Sequence, residues 1–280
     1  MTKFWRGLRH RLGELPFHLI FLIPNLSVLF LLYYLAANAL KPKQDFFASE
    51  IAVPTRLSFD ALRQALFEGN MLVALRNSIV LTTCSVALSV MLGAAAAYAF
   101  SRLRLRFKTA VFVAMLIPMS ISPLIVSIPL FAQLARFSLI NTLPGGVLAY
   151  VGLQLSFVIY ILDGVFRDIP DEVVEAARMD GAKHVRIFFV IVLPLALPGL
   201  VTAAIFVMLG VWNDLLVGLL LISSQDVIPI TANVVAFQQK FSSNPQMVFA
   251  GLLLSALPML LVYVCAQRFF IRGLSGGAYR

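Results

Sequence analysis

The sequence predicts an all-α integral membrane protein of six transmembrane helices, and three observations lead there. Of 280 residues, 60% are hydrophobic and only 12% are charged, against roughly 25% charged in an ordinary soluble chain. The charges are unevenly placed and leave six intervals that can each supply the ~20 mostly apolar residues a helix needs to cross a bilayer. No segments of about ten residues alternate in period two, as transmembrane β-strands would. Disorder is excluded as well, because a chain with 23 Phe has no solvated, low-complexity character.

The intervals place the spans at about 17–40, 77–100, 109–135, 142–162, 188–222 and 247–269, within one transmembrane domain covering 1–280. The first follows Lys3, Arg6, Arg9 and Arg11; it is too long for a signal-peptide core and no A-x-A-type cleavage site follows closely, so it is expected to stay as a span. The second carries Gly93 and then Ala94 to Ala97, a small-residue face suited to close helix approach. The third contains Pro118, Pro123 and Pro129 among Ser120, Ser122 and Ser127. Each interior proline removes a backbone hydrogen bond that neighbours must replace, so a bent helix packed inside the bundle is expected. Residues Ser223 to Gln246 are expected to form an outside loop.

Orientation follows from Lys and Arg in the short connections. The amino terminus, Arg102 to Lys108, Arg167 to Arg186 and the carboxyl terminus together hold 15 of the 22, and the opposite side holds 7. Both termini are therefore expected in the cytoplasm. The formal charge of +9 is explained by these retained cytoplasmic cations, and no soluble basic domain exists to bind nucleic acid. Cys84 and Cys265 lie in apolar runs and read as free, small hydrophobes.

Several chemistries are missing. No G-x-x-x-x-G-K-[ST] loop occurs, and Gly181-Ala182-Lys183 lacks the other positions, so this chain is not expected to bind ATP by that device. His10, His18 and His184 are scattered, and no nucleophile elbow or H-E-x-x-H is present, so no catalytic residue, metal ligand or bound cofactor is expected. A proton- or sodium-driven carrier usually keeps ionisable groups inside its spans. Only Asp214 is an acid closely flanked by apolar sequence on both sides, which supports a self-powered carrier poorly.

The connection at about 163–187 is too ordered for a passive linker. Pro170 suits a first helical position, Asp171 and Glu172 suit the positive helix end, and Gly181 suits a left-handed cap. The expected result is a short amphipathic helix whose Ala176 and Ala177 leave it slim enough for a groove on another protein. Val173, Val174 and Met179 would be its apolar anchors. The competing reading, a helix lying on lipid headgroups, is disfavoured by Asp168, Asp171, Glu172, Glu175 and Asp180, which an anionic surface would repel.

Glu175-Ala176-Ala177, Gly181 and Ile191-Val192-Leu193-Pro194 resemble the E-A-A-x-x-x-G-x9-I-x-L-P signature of binding-protein-dependent ABC importer permeases. Asn77-Ser78, Ala97-Tyr98-Ala99, Asn141-Thr142, Trp212-Asn213-Asp214, Gln267-Arg268, Arg272-Gly273-Leu274 and Gly276-Gly277-Ala278 are similar to the carbohydrate class, the shorter six-span kind of the maltose-type family. The likeness runs from about residue 77 to the end; Pro24-Asn25 and Asn38 to Lys41 depart from the family's first span.

The resemblance implies a non-catalytic permease subunit in a bacterial-type inner membrane. It would pair with a second, usually different, permease, below a solute-binding protein and above two ATPase subunits that hold ATP and Mg. By that likeness Glu175, Ala176, Ala177, Asp180, Gly181, Leu193 and Pro194 couple to the ATPase, and a sugar or sugar derivative moves inward. The other readings are an importer of an amino acid or phosphate, and a stand-alone carrier. Trp212, Asn213 and Asp214 offer an aromatic ring and hydrogen-bonding groups of the kind sugars need. Asp214 also lies 20 residues beyond Pro194, about 30 Å of helix, which leaves the outer interface equally open. Gln154, Ser120 and Ser122 are weaker pathway candidates, since polar residues in spans often join helices.

Overall fold

Charge-poor, Leu- and Ala-rich sequence with punctuating prolines gives the pattern seen in the computed structural model, which describes residues 22–48, 51–103 and 106–275. The basic amino-terminal cluster, residues 17–21 of the first expected span, Arg104 and the 276–280 tail lie outside the described residues. Every regular element described is helical. Among the described residues, four helices are long and apolar enough to cross a membrane: α1 (Leu22–Leu40), α4 (Met71–Arg102), α7 (Leu143–Arg167) and α14, crossing over Pro245–Gln267. Two bent pairs raise the number to six if each pair is one span. Between α1 and α4 lie α2 (Lys43–Ala48) and α3 (Asp60–Glu68).

The first bent pair shows the bend expected in the third span and corrects only its continuity: α5 (Lys108–Leu116) runs into a 3₁₀ turn at Ile117–Ser120, and α6 (Pro123–Arg136) departs at 103°. Pro118 and Pro123 lack the N–H groups needed to continue the ladder, and Ile121 and Ser122 adopt extended ψ angles of 134° and 133°. Packing inside the bundle is also corrected: α5 has no buried residue, and α6 buries only Ser127 and Leu134.

The second pair corrects the span expected at 188–222. Helix α9 (His184–Ile187) passes through a π-helical turn at Phe188–Val192 into α10 (Leu193–Leu195). Helix α11 (Leu197–Asn213) then leaves at 78°. Pro194 and Pro198 stand on either side of the bend at Ala196. A second break at Asp214 and Leu215 separates α11 from α12 (Leu216–Leu221). The stretch expected as an outside loop contains α13 (Ile230–Lys240) before α14 (Pro245–Ser275).

The chain divides into two units. In the unit holding residues 70–236 and 255–280, α4 and α7 lie side by side and run the same way. Leu81 faces Gly146 and Gly93 faces Val158, at the same sequence offset. The small-residue face works as expected: a Cβ on Gly93 would fall 2.4 Å from Cγ1 of Val158. Helix α11 runs against α7 in the opposite sense, with Gly199 on Val165, Gly210 on Gln154 and the rings of Phe206 and Phe157 5.6 Å apart. These three helices supply most of a core that includes Leu81, Val158, Leu162, Phe166, Ala203 and Val207.

In the other unit, residues 1–69 and 237–254, the end of α1 is a polar knot. Lys41 is 1% exposed, and its Nζ donates to Oδ1 of Asn38 at 3.2 Å. The Gln246 amide donates to the Lys41 carbonyl. Tyr34 and Phe46 both pack on Phe249.

Candidate functional site

The connection after α7 is built as a rigid elbow. Helix α7 continues to Arg167, beyond the expected end at 162, and α8 (Asp171–Met179) follows after three residues. Pro170 precedes the helix instead of opening it: its ψ is 137°, and helical geometry begins at Asp171. Gly181 closes α8 with φ +79°, a left-handed conformation that glycine adopts without a Cβ penalty. The Gly181 N–H donates to the Arg178 carbonyl at 2.9 Å, and the Ala182 N–H donates to Ala177 at 3.0 Å. This is the paired Schellman closure, and its accompanying apolar contact positions are occupied by Ala177, part of the core, and Ala182, half-buried against it.

Burial divides the α8 faces. Val174 and Ala177 turn into the chain's own core at 3% and 8% exposure. Val174 is therefore not the partner anchor that its apolar character suggested. Glu175, Ala176, Asp180 and Gly181 are exposed, as are Val173 and Met179. Leu193 is half-buried and Pro194 exposed, both in α10 just before the bend.

A residue that sequence reasoning counted only as a cytoplasmic charge fixes this elbow. Arg102, the last residue of α4, has a side chain 6% exposed. Its guanidinium donates to the carbonyl oxygens of Phe166 and Ile169 and to the Asp171 carboxylate. One planar group thus ties the end of α4 to the end of α7 and the first turn of α8. Tyr98, one turn earlier, packs against Phe188 with ring centroids 5.1 Å apart and planes tilted by 54°, and its hydroxyl lies 3.4 Å from the His184 carbonyl. Asp163, 5% exposed, accepts from Arg167 Nε at 2.7 Å.

The expected pathway residues do not form one cluster. Gln154 lies against Gly210, while Ser120 and Ser122 are exposed at the α5–α6 break. Trp212 is 6% exposed and belongs to the interior, whereas Asn213 is exposed and donates to the Leu209 carbonyl at 3.0 Å. Asp214 acts as a helix cap: one carboxylate oxygen accepts from the Val217 N–H at 2.9 Å, the Gly218 N–H at 3.3 Å and the Tyr150 hydroxyl at 2.9 Å. Replacing Asp214 by Ala is expected to destabilise α12 by about 0.5–2 kcal/mol, the usual effect of losing a cap. It also leaves the buried Tyr150 hydroxyl without its partner, whereas Tyr150→Phe should be milder. Thermal denaturation in detergent measures both; an Asp214→Ala variant as stable as wild type would remove the capping role.

At the opposite end of α4 and α7 from the elbow, motif residues hold the segment between α12 and α13. Asn77 donates to the carbonyls of Asp226 and Ile228, and the Ser78 hydroxyl accepts from the Ile230 N–H at 2.7 Å. The side-chain amide oxygen of Asn141, Oδ1, accepts from the N–H groups of Ser223 and Ser224. These asparagines satisfy loop backbone that has no helical partner.

Several helices long and apolar enough to cross a membrane make this a multi-pass membrane chain. Over residues 89–275 the chain matches the family described as "Binding-protein-dependent transport system inner membrane component", and it belongs to that family. It is similar to the diacetylchitobiose uptake system permease protein NgcG of Streptomyces coelicolor, at 30% identity over 94% of this chain and 88% of that protein. The trehalose transport system permease protein SugB of Mycobacterium tuberculosis is 34% identical over 81% of this chain and 84% of its own. Among solved structures, a chain from a bacterial ABC transporter involved in alginate import superposes with a TM-score of 0.79 at 21% identity, covering 93% of this chain and 97% of that one. That likeness concerns the fold.

Proposed function

We propose that this chain is the membrane subunit of an ATP-driven importer that takes up a sugar or sugar derivative handed over by a solute-binding protein. The observation that carries the reading is the elbow itself, a short helix closed by a left-handed glycine and clamped by a buried arginine. Its outward surface of Glu175, Ala176, Asp180 and Gly181 is free of this chain's own packing. Family membership and the sugar transport named for the relatives support the cargo class.

In this reading six spans form one permease domain over 1–280, with each bent pair crossing once and both termini in the cytoplasm. Helix α8 docks in a cleft of one of two ATPase subunits, which hold ATP and Mg, and a second permease completes the pathway. Glu175, Ala176, Ala177, Asp180 and Gly181 meet or shape the docking surface. Leu193 and Pro194 carry movement into the α10–α11 bend, so that ATPase closure is delivered as a rigid-body displacement. Of the pathway candidates, Asn213, Ser120 and Ser122 have the exposure a lining role needs; Gln154, Trp212 and Asp214 support the wall behind it.

The test is reconstitution in proteoliposomes with the partner permease, ATPase and binding protein. Labelled trehalose, melibiose and diacetylchitobiose should enter only with internal ATP and external binding protein. Entry without ATP, or entry of amino acids or phosphate and none of these sugars, would overturn the proposal.

A further inference from the structure

In the unit formed by residues 1–69 and 237–254, α2, α3 and the turn leading into α14 line a cleft of about 650 Å³. That volume falls within the roughly 300–1,000 Å³ of small-ligand sites. Its walls carry Lys43 and Arg63 against Asp60 and Glu68, so the cleft offers no net charge to attract a strongly ionic solute. Lys43, Arg63 and Gln64 make no side-chain hydrogen bond or ion pair among the described residues. The Asn244 side-chain oxygen is buried and has no hydrogen-bond partner among the described residues. Gln246, 6% exposed, is fixed by its bond to the Lys41 carbonyl, which gives the cleft a built wall. Phe67 stands 69% exposed at the same cleft.

We propose that this cleft binds an uncharged or weakly charged sugar, as a site separate from the span residues considered above. Sugar hydroxyls are donors and acceptors at once, and a wall offering guanidinium and ammonium donors, carboxylate acceptors and amides matches both capacities. The amide oxygen of Asn244 takes a hydroxyl hydrogen. The open ring of Phe67 takes the apolar C–H face, since an aromatic ring combines a large apolar surface with a negative face. This inference rests on the sugar reading above and adds where the chain first holds its cargo.

The test is equilibrium binding of labelled trehalose, melibiose and diacetylchitobiose to the assembled transporter in nanodiscs, without the binding protein. Saturable binding of at least one sugar at roughly millimolar concentration is expected. Phe67→Ala and Arg63→Ala should each weaken it about fivefold, the size of a lost stacking or polar contact. ATPase co-purification should stay unchanged, because both side chains are exposed. No saturable binding to wild type, or equal binding by both variants, would overturn the proposal. So would unchanged sugar binding with weaker attachment of the binding protein, which would make the cleft a protein-docking surface. If the complete assembly imports none of the sugars, the sugar reading itself fails; if it imports them while the cleft variants bind normally, only the cleft proposal fails.

Discussion

Replacing Gly181 with Val is expected to lower ATP-dependent uptake by about tenfold or more and to weaken co-purification of the ATPase. Beyond the adjoining chain, no atom lies within 4 Å of the place a methyl group on this glycine would take, so crowding is not the cause. The cause is the backbone angle of +79°, where an L side chain costs about 1–2 kcal/mol, and roughly 1.4 kcal/mol is a factor of ten in an equilibrium. If the chain relaxes to a negative φ, the bonds from Gly181 and Ala182 back to Arg178 and Ala177 are lost and the following residues are redirected. Asn, which tolerates the left-handed region, should retain most uptake. A Val variant with full uptake and normal ATPase attachment would sink the coupling role of this turn.

Arg102→Ala should uncouple ATP hydrolysis from uptake even where the assembly still forms. The ion pair alone does not account for this. The Asp171 side chain is 81% exposed, so the pair belongs to the surface class contributing about 0–1 kcal/mol. The weight falls on the carbonyls of Phe166 and Ile169, which accept from a buried charged donor, at about 1.5–3 kcal/mol each. Asp171→Asn should therefore behave almost as wild type. Arg102→Lys should resemble Arg102→Ala, because a single ammonium cannot replace a planar fork reaching three acceptors. Uptake per ATP hydrolysed in proteoliposomes reads the difference, and a fully coupled Arg102→Lys variant, or an uncoupled Asp171→Asn variant, would contradict the assignment.

The class of fold was legible because it depends on composition and on intervals between charges, which need no knowledge of neighbours. The glycine cap was legible for a similar reason: Gly181 follows α8 within a few residues, and local geometry decides it. The breaks were harder. Pro194 and Pro198 lie inside an uninterrupted apolar interval, and hydropathy alone reads straight through the 78° turn they flank. Asp214 reads from sequence either as a polar group facing a solute or as a residue of the outer interface, because its distant partner, Tyr150, cannot be paired with it from spacing. Its local relation to Val217 and Gly218 was the available signal for a helix start. Arg102 was invisible as a clamp, since nothing in the chain order associates it with residues more than sixty positions later. That association requires the register of α4 on α7.

Because α4 and α7 point in the same direction, their peptide dipoles reinforce each other, and two partially negative carbonyl ends collect at one level, where an up-and-down pair would have cancelled. A cation at that level lowers the electrostatic cost of the pairing, and Arg102 stands at that position. The guanidinium is thus the counter-charge that lets two like-oriented rods share a base.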